Sequence, residues 1–517
     1  MRGRQGGPKG GTTLKRGPKQ KKEEANCAPP LDFAAAFLLL EQTDAEPGEL
    51  TACLSALCAA AKTRAARERI DGACSDRAAL YRCLSADEPK LRKNAARLLG
   101  ALGRGRDAAA LAAALAAERR LFVVPSILLA LGRCGGSTAQ SAVAAYAPPR
   151  PRDETEEKHI REIQCALEKA KNSFETGEFP ALSRLPAPQE VLLLPPDGFS
   201  AQLFEELEEL GFSPRPAGTS AFYRGGLLVK TDDIEGIYRA RCAAEILLPV
   251  AEGVAFTPEA VAAAFAPAPE HPYRLELRGW DGNRAAFLRE TARLLGGRNN
   301  PSHYALELRI ERRDDGRAAL FQRPCNVLDT RFAYRRQALP ASIHPVTAAC
   351  LVRYGRRFRP AGKEAPSVLD PCCGSGTLLF EREKLSPCGS LLGVELTGRG
   401  VLAAKENAAA GCSRARFIQK DCLNFTPRAP VDELYANLPF GNRVGSHTDN
   451  EALYRGLAAR LPDWLSEDGI ALLYTMEHRL LQRCLREESR LTLLGRTRTE
   501  AGGLMPQVFV LAKKGRG

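Results

Sequence analysis

The strongest constraint in the sequence is a short apolar run that ends at an acidic residue and continues into a glycine-rich turn and a helix. This segment, residues 367–381, reads SVLDPCCGSGTLLFE, with Asp370 at the end of the apolar run. Gly374 and Gly376 let a ligand approach the backbone where a Cβ atom would block it. The spacing excludes both a phosphate-binding P-loop and the G-x-G-x-x-G dinucleotide fingerprint. We therefore predict an α/β fold with a parallel sheet, and a ligand site at the carboxyl ends of its strands.

The same residues resemble the cofactor loop of class I methyltransferases. Asp370-Pro371-Cys372-Cys373-Gly374-Ser375-Gly376-Thr377 matches the D-P-x-C-G-S-G-T form of that loop. The later elements follow the order of that fold and end in two predicted antiparallel strands, RLTLLGRTRT and PQVFVLAKK. The resemblance implies a Rossmann-like methyltransferase domain over 331–517, with a seven-stranded sheet and S-adenosylmethionine as its cofactor.

Two further acidic residues stand where this fold binds the cofactor. LLGVEL (391–396) is a second predicted strand with Glu395 near its end, where a carboxylate can accept both ribose hydroxyls. A third strand ends near Asp421, which can accept the adenine amino group, and Cys422 supplies a neighbouring backbone N–H. The predicted cofactor-binding residues are Asp370, Cys372, Gly374, Gly376, Thr377, Glu395, Asp421, Cys422 and Asn437. No metal site is predicted.

The fourth predicted strand, in VDELYANLPFGNRVG (431–445), ends in a turn suited to an amino-group acceptor. The amino group of a base is a poor nucleophile because its lone pair is delocalised into the ring. The Asn437 side-chain carbonyl and the Leu438 backbone carbonyl can accept the hydrogens of such an amine. Pro439 has no N–H and stiffens the turn, and Phe440 can stack on the base and align the reacting atoms. We predict these four residues to be catalytic.

This turn resembles the N-P-P-[YF] signature of amino-methyltransferases, from which Leu438 departs at the second position. Its L-P-F-G-x-R form is most similar to THUMP-domain-containing RNA guanine-N2 methyltransferases, whose first position is often Asp; adenine and guanine therefore both stay open. Residues 331–355 also match a segment of those enzymes that links the THUMP part to the catalytic domain and folds over the cofactor. The matching positions are Tyr334, Arg335, His344 and Pro345. His344 is interpreted as a hydrogen-bonding residue at a helix start.

The region 190–330 alternates predicted strands and amphipathic helices. YRLELRGW is a strand, DIEGIYRARCAAEILLPV is a helix with a strand at its end, and a hairpin turns at Asp314-Asp315-Gly316. Two such β-α-β arrays in tandem predict α+β layers. Their order resembles the ferredoxin-like and THUMP-like pair that precedes the catalytic domain in those methyltransferases, and it implies an RNA-binding region.

The N-terminal third is predicted to be helical. Residues 30–147 are rich in Ala and Leu, and Gly103 aligns with Gly132 in an apparent repeat of 29 residues that resembles degenerate HEAT-type repeats of an α-solenoid. Residues 148–189 are predicted to be a proline-rich linker around one charged helix, at about 153–175. Residues 1–29 are low in apolar content and are predicted to be a disordered basic tail.

Net charge and cysteine distribution indicate the class of partner and the compartment. The net charge is +13 and the sequence pI is about 9.1, which favours a polyanionic partner. The sixteen cysteines are scattered, so neither a disulfide framework nor a zinc finger is predicted, and the expected compartment is the cytoplasm. We predict an RNA methyltransferase acting on guanine N2 in tRNA or rRNA, with no membrane partner and protein or ribosome contact through the helical repeats. The alternatives are methylation of DNA adenine N6 or protein glutamine N5, and a non-catalytic RNA-binding or ribosome-assembly factor.

Overall fold

The computed structural model describes residues 32–42, 44–74, 76–174, 178–218, 223, 225–340, 342–359, 364–440, 447–500 and 502–515. The chain divides into two compact units, Met1–Gly177 and Glu178–Gly517. The predicted basic tail lies outside the described residues. Within them, no helix is long and apolar enough to cross a membrane.

The described part of the first unit is helical throughout. Its helices are α1 (Phe33–Glu41), α2 (Pro47–Ala60), α3 (Arg64–Ala73), α4 (Ala78–Leu84), α5 (Pro89–Leu102), α6 (Ala108–Ala117), α7 (Val124–Cys134), α8 (Gly136–Ala145) and α9 (Glu154–Ser173). Helices α2, α5, α7 and α9 pack side by side in one layer, and α4, α6 and α8 form a second layer. Proline occupies the first turn of α2, α5 and α7, where its missing N–H costs no helical hydrogen bond.

The predicted register of the helical repeat is wrong. Gly103 ends α5 with a φ of +60°, whereas Gly132 lies inside α7, which ends at Gly135 with a φ of +69°. The structural equivalent of Gly132 is Gly100, because each allows a close helix crossing. A Cβ on Gly100 would lie 2.8 Å from the Cα of Ala130 in α7, and one on Gly132 would lie 2.9 Å from a Cα in α9. The packing environment of Gly132 therefore matches that of Gly100 and not that of Gly103.

The charged helix expected near 153–175 is α9. The Asp153 side chain caps it by accepting from the N–H of Glu156 (2.8 Å), and the acidic first turn suits the helix dipole. Its apolar side chains, including Ile163 and Ala170, are buried in the core of the first unit. This helix packs against α7.

The second unit begins with a mixed α/β region that contains one seven-stranded sheet. Its strands are β1 (Arg184–Leu194), β2 (Arg215–Pro216), β3 (Leu227–Asp233), β4 (Glu245–Val254), β5 (Tyr273–Arg278), β6 (Leu306–Arg312) and β7 (Ala318–Pro324). Its helices are α10 (Ser200–Glu209), α11 (Ile234–Ile237), α12 (Pro258–Phe265) and α13 (Arg284–Leu295). The strand order is β2-β3-β1-β4-β7-β6-β5, and only β5 and β6 pair in parallel. The two predicted arrays thus join through β4 into one sheet, and the predicted hairpin is formed by β6 and β7.

The helix predicted after Asp233 is wrong in length, because α11 is a single turn. In the following residues, 238–244, several backbone groups bond to side chains instead of forming a helix. The Arg331 guanidinium donates to the carbonyl oxygens of Ala240 (2.7 Å) and Ala243 (2.9 Å). A carboxylate of α10 accepts from the N–H of Cys242 at 2.7 Å. Tertiary hydrogen bonds have overridden the local helical preference of this segment.

The C-terminal domain contains a second seven-stranded sheet. Its strands are β8 (Ser367–Asp370), β9 (Ser390–Glu395), β10 (Arg416–Gln419), β11 (Val431–Asn437), β12 (Leu465–Thr475), β13 (Leu491–Arg498) and β14 (Gln507–Lys513). Its helices are α14 (Pro345–Arg356), α15 (Thr377–Leu385), α16 (Gly398–Gly411), α17 (His447–Trp464) and α18 (His478–Glu487). The order is β10-β9-β8-β11-β12-β14-β13; the first five strands are parallel, and β14 is antiparallel to both neighbours. The predicted seven-stranded sheet is confirmed, but of its last two strands only β14 runs opposite to the five parallel strands, because β13 is antiparallel to β14 and therefore has the direction of β12.

The two sheets of the second unit share a core. Apolar side chains of the first sheet, such as Leu193 and Ile246, belong to the same buried cluster as Cys350 of α14 and Tyr474 of β12. The far half of the first sheet, around β5 and β6, has a separate core. The half of the first sheet that contains β1, β3 and β4 therefore packs against the C-terminal domain.

Candidate active site

The carboxyl ends of four parallel strands bring the predicted site residues to one edge of the second sheet. Asp370 ends β8, Glu395 ends β9, and Asn437 ends β11, while Asp421 follows β10. The strand order reverses between β8 and β11, and ligands bind at such a switch point in open α/β sheets.

The glycine-rich turn has the backbone that its sequence predicts. Gly374 and Gly376 have φ values of +51° and +85°, and Gly376 is the N-cap of α15. A Cβ on Gly376 would lie 2.8 Å from the ring of Phe380, whereas a Cβ on Gly374 would meet no atom within 4 Å. The backbone at Gly374 therefore borders open space that a ligand can approach.

Glu395 and Asp421 are held by short hydrogen bonds at the same edge. Glu395 Oε2 accepts from the N–H of Gly374 at 3.0 Å, and Oε1 accepts from the N–H and hydroxyl of Thr397 at 3.0 and 2.8 Å. Asp421 Oδ1 accepts from the N–H of Leu423 at 2.9 Å. Glu395 thus ties the end of β9 directly to the glycine-rich turn.

Cysteines connect the loops after β8 and β10. The Sγ atoms of Cys372 and Cys422 lie 4.0 Å apart, and the N–H of Cys373 donates to the carbonyl oxygen of Val394 at 3.0 Å. The fifteen cysteines in the described part of the chain are all free thiols. Among those described residues, no group of three or more His, Cys, Asp or Glu side chains is placed to hold a metal ion.

The turn after β11 is held from two sides. The N–H of Leu438 donates to the carbonyl oxygen of Tyr474 (2.9 Å), and the Tyr454 hydroxyl donates to the carbonyl oxygen of Pro439 (2.8 Å). The ring of Phe440 meets that of Tyr474 edge-on, with centroids 5.7 Å apart. Residues 441–446, which include the last part of the predicted L-P-F-G-x-R motif, lie outside the described residues.

Comparison with known proteins identifies this domain. Residues 333–506 match the UPF0020 family, described as an RMKL-like methyltransferase domain. The C-terminal domain is a class I S-adenosylmethionine-dependent methyltransferase domain. S-adenosylmethionine is its cofactor, in agreement with the sequence prediction.

Three relatives place the methyltransferase domain among known proteins. A 4-amino-L-phenylalanine/4-methylamino-L-phenylalanine methyltransferase of Streptomyces pristinaespiralis is 31% identical over 121 residues, which are 22% of this chain and 39% of the relative. TrmN from Thermus thermophilus superposes with a TM-score of 0.51 at 25% identity, over 63% of this chain and 99% of its own. SMU.472, solved in complex with SAH, gives a TM-score of 0.50 at 16% identity, over 63% of this chain and 98% of its own. The two structural matches extend beyond the methyltransferase domain.

A segment just before the methyltransferase sheet lies against the glycine-rich turn, residues 374–376, which we call the cofactor turn. We call residues 331–340 the connecting segment. The main chain of Gln337 pairs with the side chain of Asn407 at 2.8 and 2.9 Å, and Asn407 Nδ2 also donates to the carbonyl oxygen of Ser375 at 3.1 Å. The hydroxyls of Ser342 and Ser375 are 2.8 Å apart. The sequence did not single out Ser342 or Asn407, because neither belongs to the motifs that mark the cofactor turn.

The four matching positions near this segment have different environments. Tyr334 is buried and its hydroxyl donates to Glu381 at 2.6 Å, while Pro345 is the first residue of α14. His344 is the N-cap of α14, as its position predicts. Its side chain makes no capping hydrogen bond, and its carbonyl oxygen accepts from the N–H of Ala348. Burial, reinforced by the charges of two arginines including Arg335, lowers the pKa of His344.

Gly376→Ala is expected to weaken S-adenosylmethionine binding by about tenfold or more, because a positive φ costs a non-glycine residue roughly 1–2 kcal/mol. The added Cβ would also meet the Phe380 ring and displace the turn. Isothermal titration of the cofactor measures the change. Gly72→Ala is the matched control, since a Cβ there meets no atom within 4 Å. Unchanged cofactor affinity in the Gly376 variant would contradict this prediction.

Asp370 gives the domain a specific pH dependence. Its side chain is 1% exposed, and burial raises its pKa to about 8, although the N–H of Cys372 donates to Oδ1. The folded state therefore keeps a proton that the unfolded chain loses near pH 4. This contribution to stability is complete below about pH 4 and is lost as the pH rises towards 8.

Asp370→Asn replaces the ionisable carboxyl group with a neutral amide of similar shape that still accepts hydrogen bonds. The variant therefore does not lose this stability as the pH rises. We expect the unfolding free energy of the variant, relative to the wild type, to increase steadily between pH 5 and pH 8. Urea unfolding of both proteins across this range measures the difference. Parallel pH profiles would mean that the Asp370 carboxyl is already ionised in the folded protein.

Proposed function

We propose that this protein transfers a methyl group from S-adenosylmethionine to an exocyclic amino group of RNA, namely N2 of guanine in tRNA or rRNA. The observation that carries the proposal is the turn from Asn437 to Phe440, which follows β11 at the same sheet edge as the cofactor turn. Its components match the requirements of an amine acceptor: carbonyl acceptors, a residue without an N–H, and an aromatic ring.

The residues at the sheet edge fit the cofactor. The Thr377 hydroxyl is buried and has no hydrogen-bond partner among the described residues, and the backbone at Gly374 borders open space. Glu395 and Asp421 place carboxylates at the strand ends where ribose and adenine groups would be bound. When bound, S-adenosylmethionine supplies an electrophilic methyl group on a positively charged sulfur.

The chain's own residues then act on the acceptor. Asn437 and the Leu438 carbonyl accept hydrogen bonds from the amine, which directs the nitrogen lone pair away from the ring system and towards the methyl donor. Phe440 stacks on the base, and its edge-on contact with Tyr474 fixes the orientation of the ring. No general base is required before transfer, because the nitrogen loses its proton after it has gained the methyl group.

The choice of RNA rests on the rest of the chain. The net charge of +13 favours a polyanion, and the β1–β7 region has the position of the THUMP-like region in the RNA enzymes that the motifs resemble. A base inside a helix cannot reach a pocket of this kind, so the target base is flipped out or unpaired. In this proposal the THUMP-like region grips the RNA backbone, and the HEAT-like helices of 30–147 and the basic tail add RNA, protein or ribosome contacts in the cytoplasm.

One comparison favours a second acceptor class. The Streptomyces relative is named for 4-amino-L-phenylalanine, whose reacting group is also an amine on an aromatic ring. The match spans less than half of that protein, and its acceptor is a free amino acid. The Asn437 turn would suit either acceptor, since both amines have a delocalised lone pair.

The deciding experiment offers all acceptors in parallel. The full-length protein is incubated with methyl-labelled S-adenosylmethionine and RNA from cells lacking the corresponding gene, or with DNA, protein or 4-amino-L-phenylalanine. Label in N2-methylguanosine after nucleoside analysis supports the proposal, and sizing the RNA separates tRNA from rRNA. Label in another acceptor, or cofactor binding without transfer to RNA, overturns it.

A further inference from the structure

A buried glutamate lies in the helix that begins at the cofactor turn. Glu381 belongs to α15, whose N-cap is Gly376, and its side chain is 0% exposed. Burial raises the pKa of this carboxyl group. A buried carboxylate requires closely placed partners, because removal from water strongly disfavours the charged form.

The partners of Glu381 come from outside the sheet of the methyltransferase domain. Arg241, in the irregular residues 238–244, donates from Nε to Oε2 (2.7 Å) and from Nη2 to Oε1 (2.8 Å). The Tyr334 hydroxyl donates to Oε1 at 2.6 Å. The guanidinium of Arg241 also lies 4.8 Å from the ring centroid of Phe332. Arg241 precedes residues 333–506, the part of the chain that matches the methyltransferase family.

These contacts continue into the cofactor turn. Tyr334 packs against Phe380, with ring centroids 5.0 Å apart, and the Phe380 ring lies where a Cβ on Gly376 would be. The connecting segment, which contains Tyr334, reaches Ser375 through the side chain of Asn407. A change in the position of Glu381 would therefore be transmitted to Ser375 and Gly376 of the turn.

We propose that Arg241 is a positioning residue for cofactor binding, through which the β1–β7 region sets the affinity of the methyltransferase domain for S-adenosylmethionine. This role rests on the proposed function and adds to it, because it gives the RNA-binding region a second task. Without Arg241, α15 must shift or Glu381 must take up a proton, and either change alters the turn that begins at Gly374.

The test is a calorimetric titration of full-length protein with S-adenosylmethionine in the absence of nucleic acid. Arg241→Met is expected to raise the Kd by about tenfold or more, because it removes two charge-assisted hydrogen bonds. Arg241→Lys keeps the charge without the bidentate geometry and should bind with intermediate affinity. Arg241→Met combined with Glu381→Gln should recover most of the affinity, because the amide is neutral and still accepts from Tyr334.

Arg357→Ala is the matched control. Arg357, at the C-terminal end of α14, pairs with Glu205 of α10 at 2.6 Å, so it joins the same two regions away from the cofactor turn. We expect its Kd to equal that of the wild type within about twofold.

The proposal is overturned if Arg241→Met binds the cofactor as the wild type does, if Arg357→Ala is equally weakened, or if Glu381→Gln brings no recovery. Should Arg241→Met fail to fold in a melting assay, Arg241→Lys decides: wild-type affinity refutes the positioning role, and reduced affinity in a folded protein supports it. Since no RNA is present, failure to methylate RNA would count against the proposed function and leave this result intact.

Discussion

Asn437→Ala should lower the rate of methyl transfer by about a hundredfold to a thousandfold, the usual effect of removing a polar group that stabilises a transition state. Asn437 ends β11, and its register partner across the sheet is Tyr474 of β12. Its side chain is proposed to accept from the reacting amine, which the alanine variant cannot do. The turn itself should survive, because Leu438 and Pro439 are held by hydrogen bonds to Tyr474 and Tyr454.

Single-turnover methyl transfer and cofactor titration together test this prediction. The Kd for S-adenosylmethionine should change by no more than about threefold in Asn437→Ala, because the other eight predicted cofactor-binding residues are intact; this separates the acceptor role of Asn437 from its predicted part in cofactor binding. Asn437→Asp keeps a carbonyl-type acceptor and should retain more activity than the alanine variant. A transfer rate near that of the wild type in Asn437→Ala would remove this residue from the mechanism.

Glu433→Ala should destabilise the methyltransferase domain by about 3–5 kcal/mol, the usual cost of breaking a buried ion pair by removing one partner. Glu433 of β11 is 1% exposed and Arg382 of α15 is 0% exposed, with Nη2 of Arg382 donating to Oε1 at 2.9 Å. Arg359 pairs with the same carboxylate at 2.7 Å, and the Tyr435 hydroxyl donates to it at 3.0 Å. The alanine variant leaves the buried Arg382 without its carboxylate.

Denaturant unfolding followed by tryptophan fluorescence measures this loss. The chain has two tryptophans, and a Trp280→Phe background leaves the buried Trp464 as the reporter of the methyltransferase core. Replacing Arg382 and Glu433 together by leucine should cost less than Glu433→Ala alone, because the fully buried Arg382 then no longer needs a carboxylate partner; Arg359, which is 15% exposed, loses its pair with Glu433 in both variants. Arg490→Ala is the surface control, since the Arg490 side chain is half exposed and its pair with Glu488 should contribute little. A loss for Glu433→Ala as small as that of the control would show that Arg382 finds another partner or becomes hydrated.

The elements of the fold that could be predicted are those whose apolar residues recur with the spacing of a strand or a helix. The seven strands and the helices of the methyltransferase domain follow from apolar runs, and the strand-end positions of Asp370, Glu395 and Asn437 follow from those runs. The parts that were missed depend on distant partners. The helix after Asp233 ends after one turn. The guanidinium of Arg331, far along the chain, donates to the carbonyl oxygens of Ala240 and Ala243, which a longer helix would use for its own hydrogen bonds.

The helical repeat shows the same limit in a different form. A match of three letters aligned Gly103 with Gly132, but the relevant property of Gly132 is the closeness of a neighbouring helix, which it shares with Gly100. Such closeness is invisible in a single sequence, because a glycine that ends a helix and a glycine that allows a crossing are the same letter.

The order of residues along the chain was enough to indicate a methyltransferase sheet, its cofactor turn and an amine-binding turn, because a strand followed by a special turn is encoded within a few consecutive residues. Only the tertiary structure shows that Arg241 and Tyr334 hold Glu381 beside the cofactor turn, and that Glu433 lies between Arg359 and Arg382. These pairs join elements that are distant in sequence. They exist because a charge removed from water needs a partner, and the chain supplies that partner from whichever element the fold brings within reach.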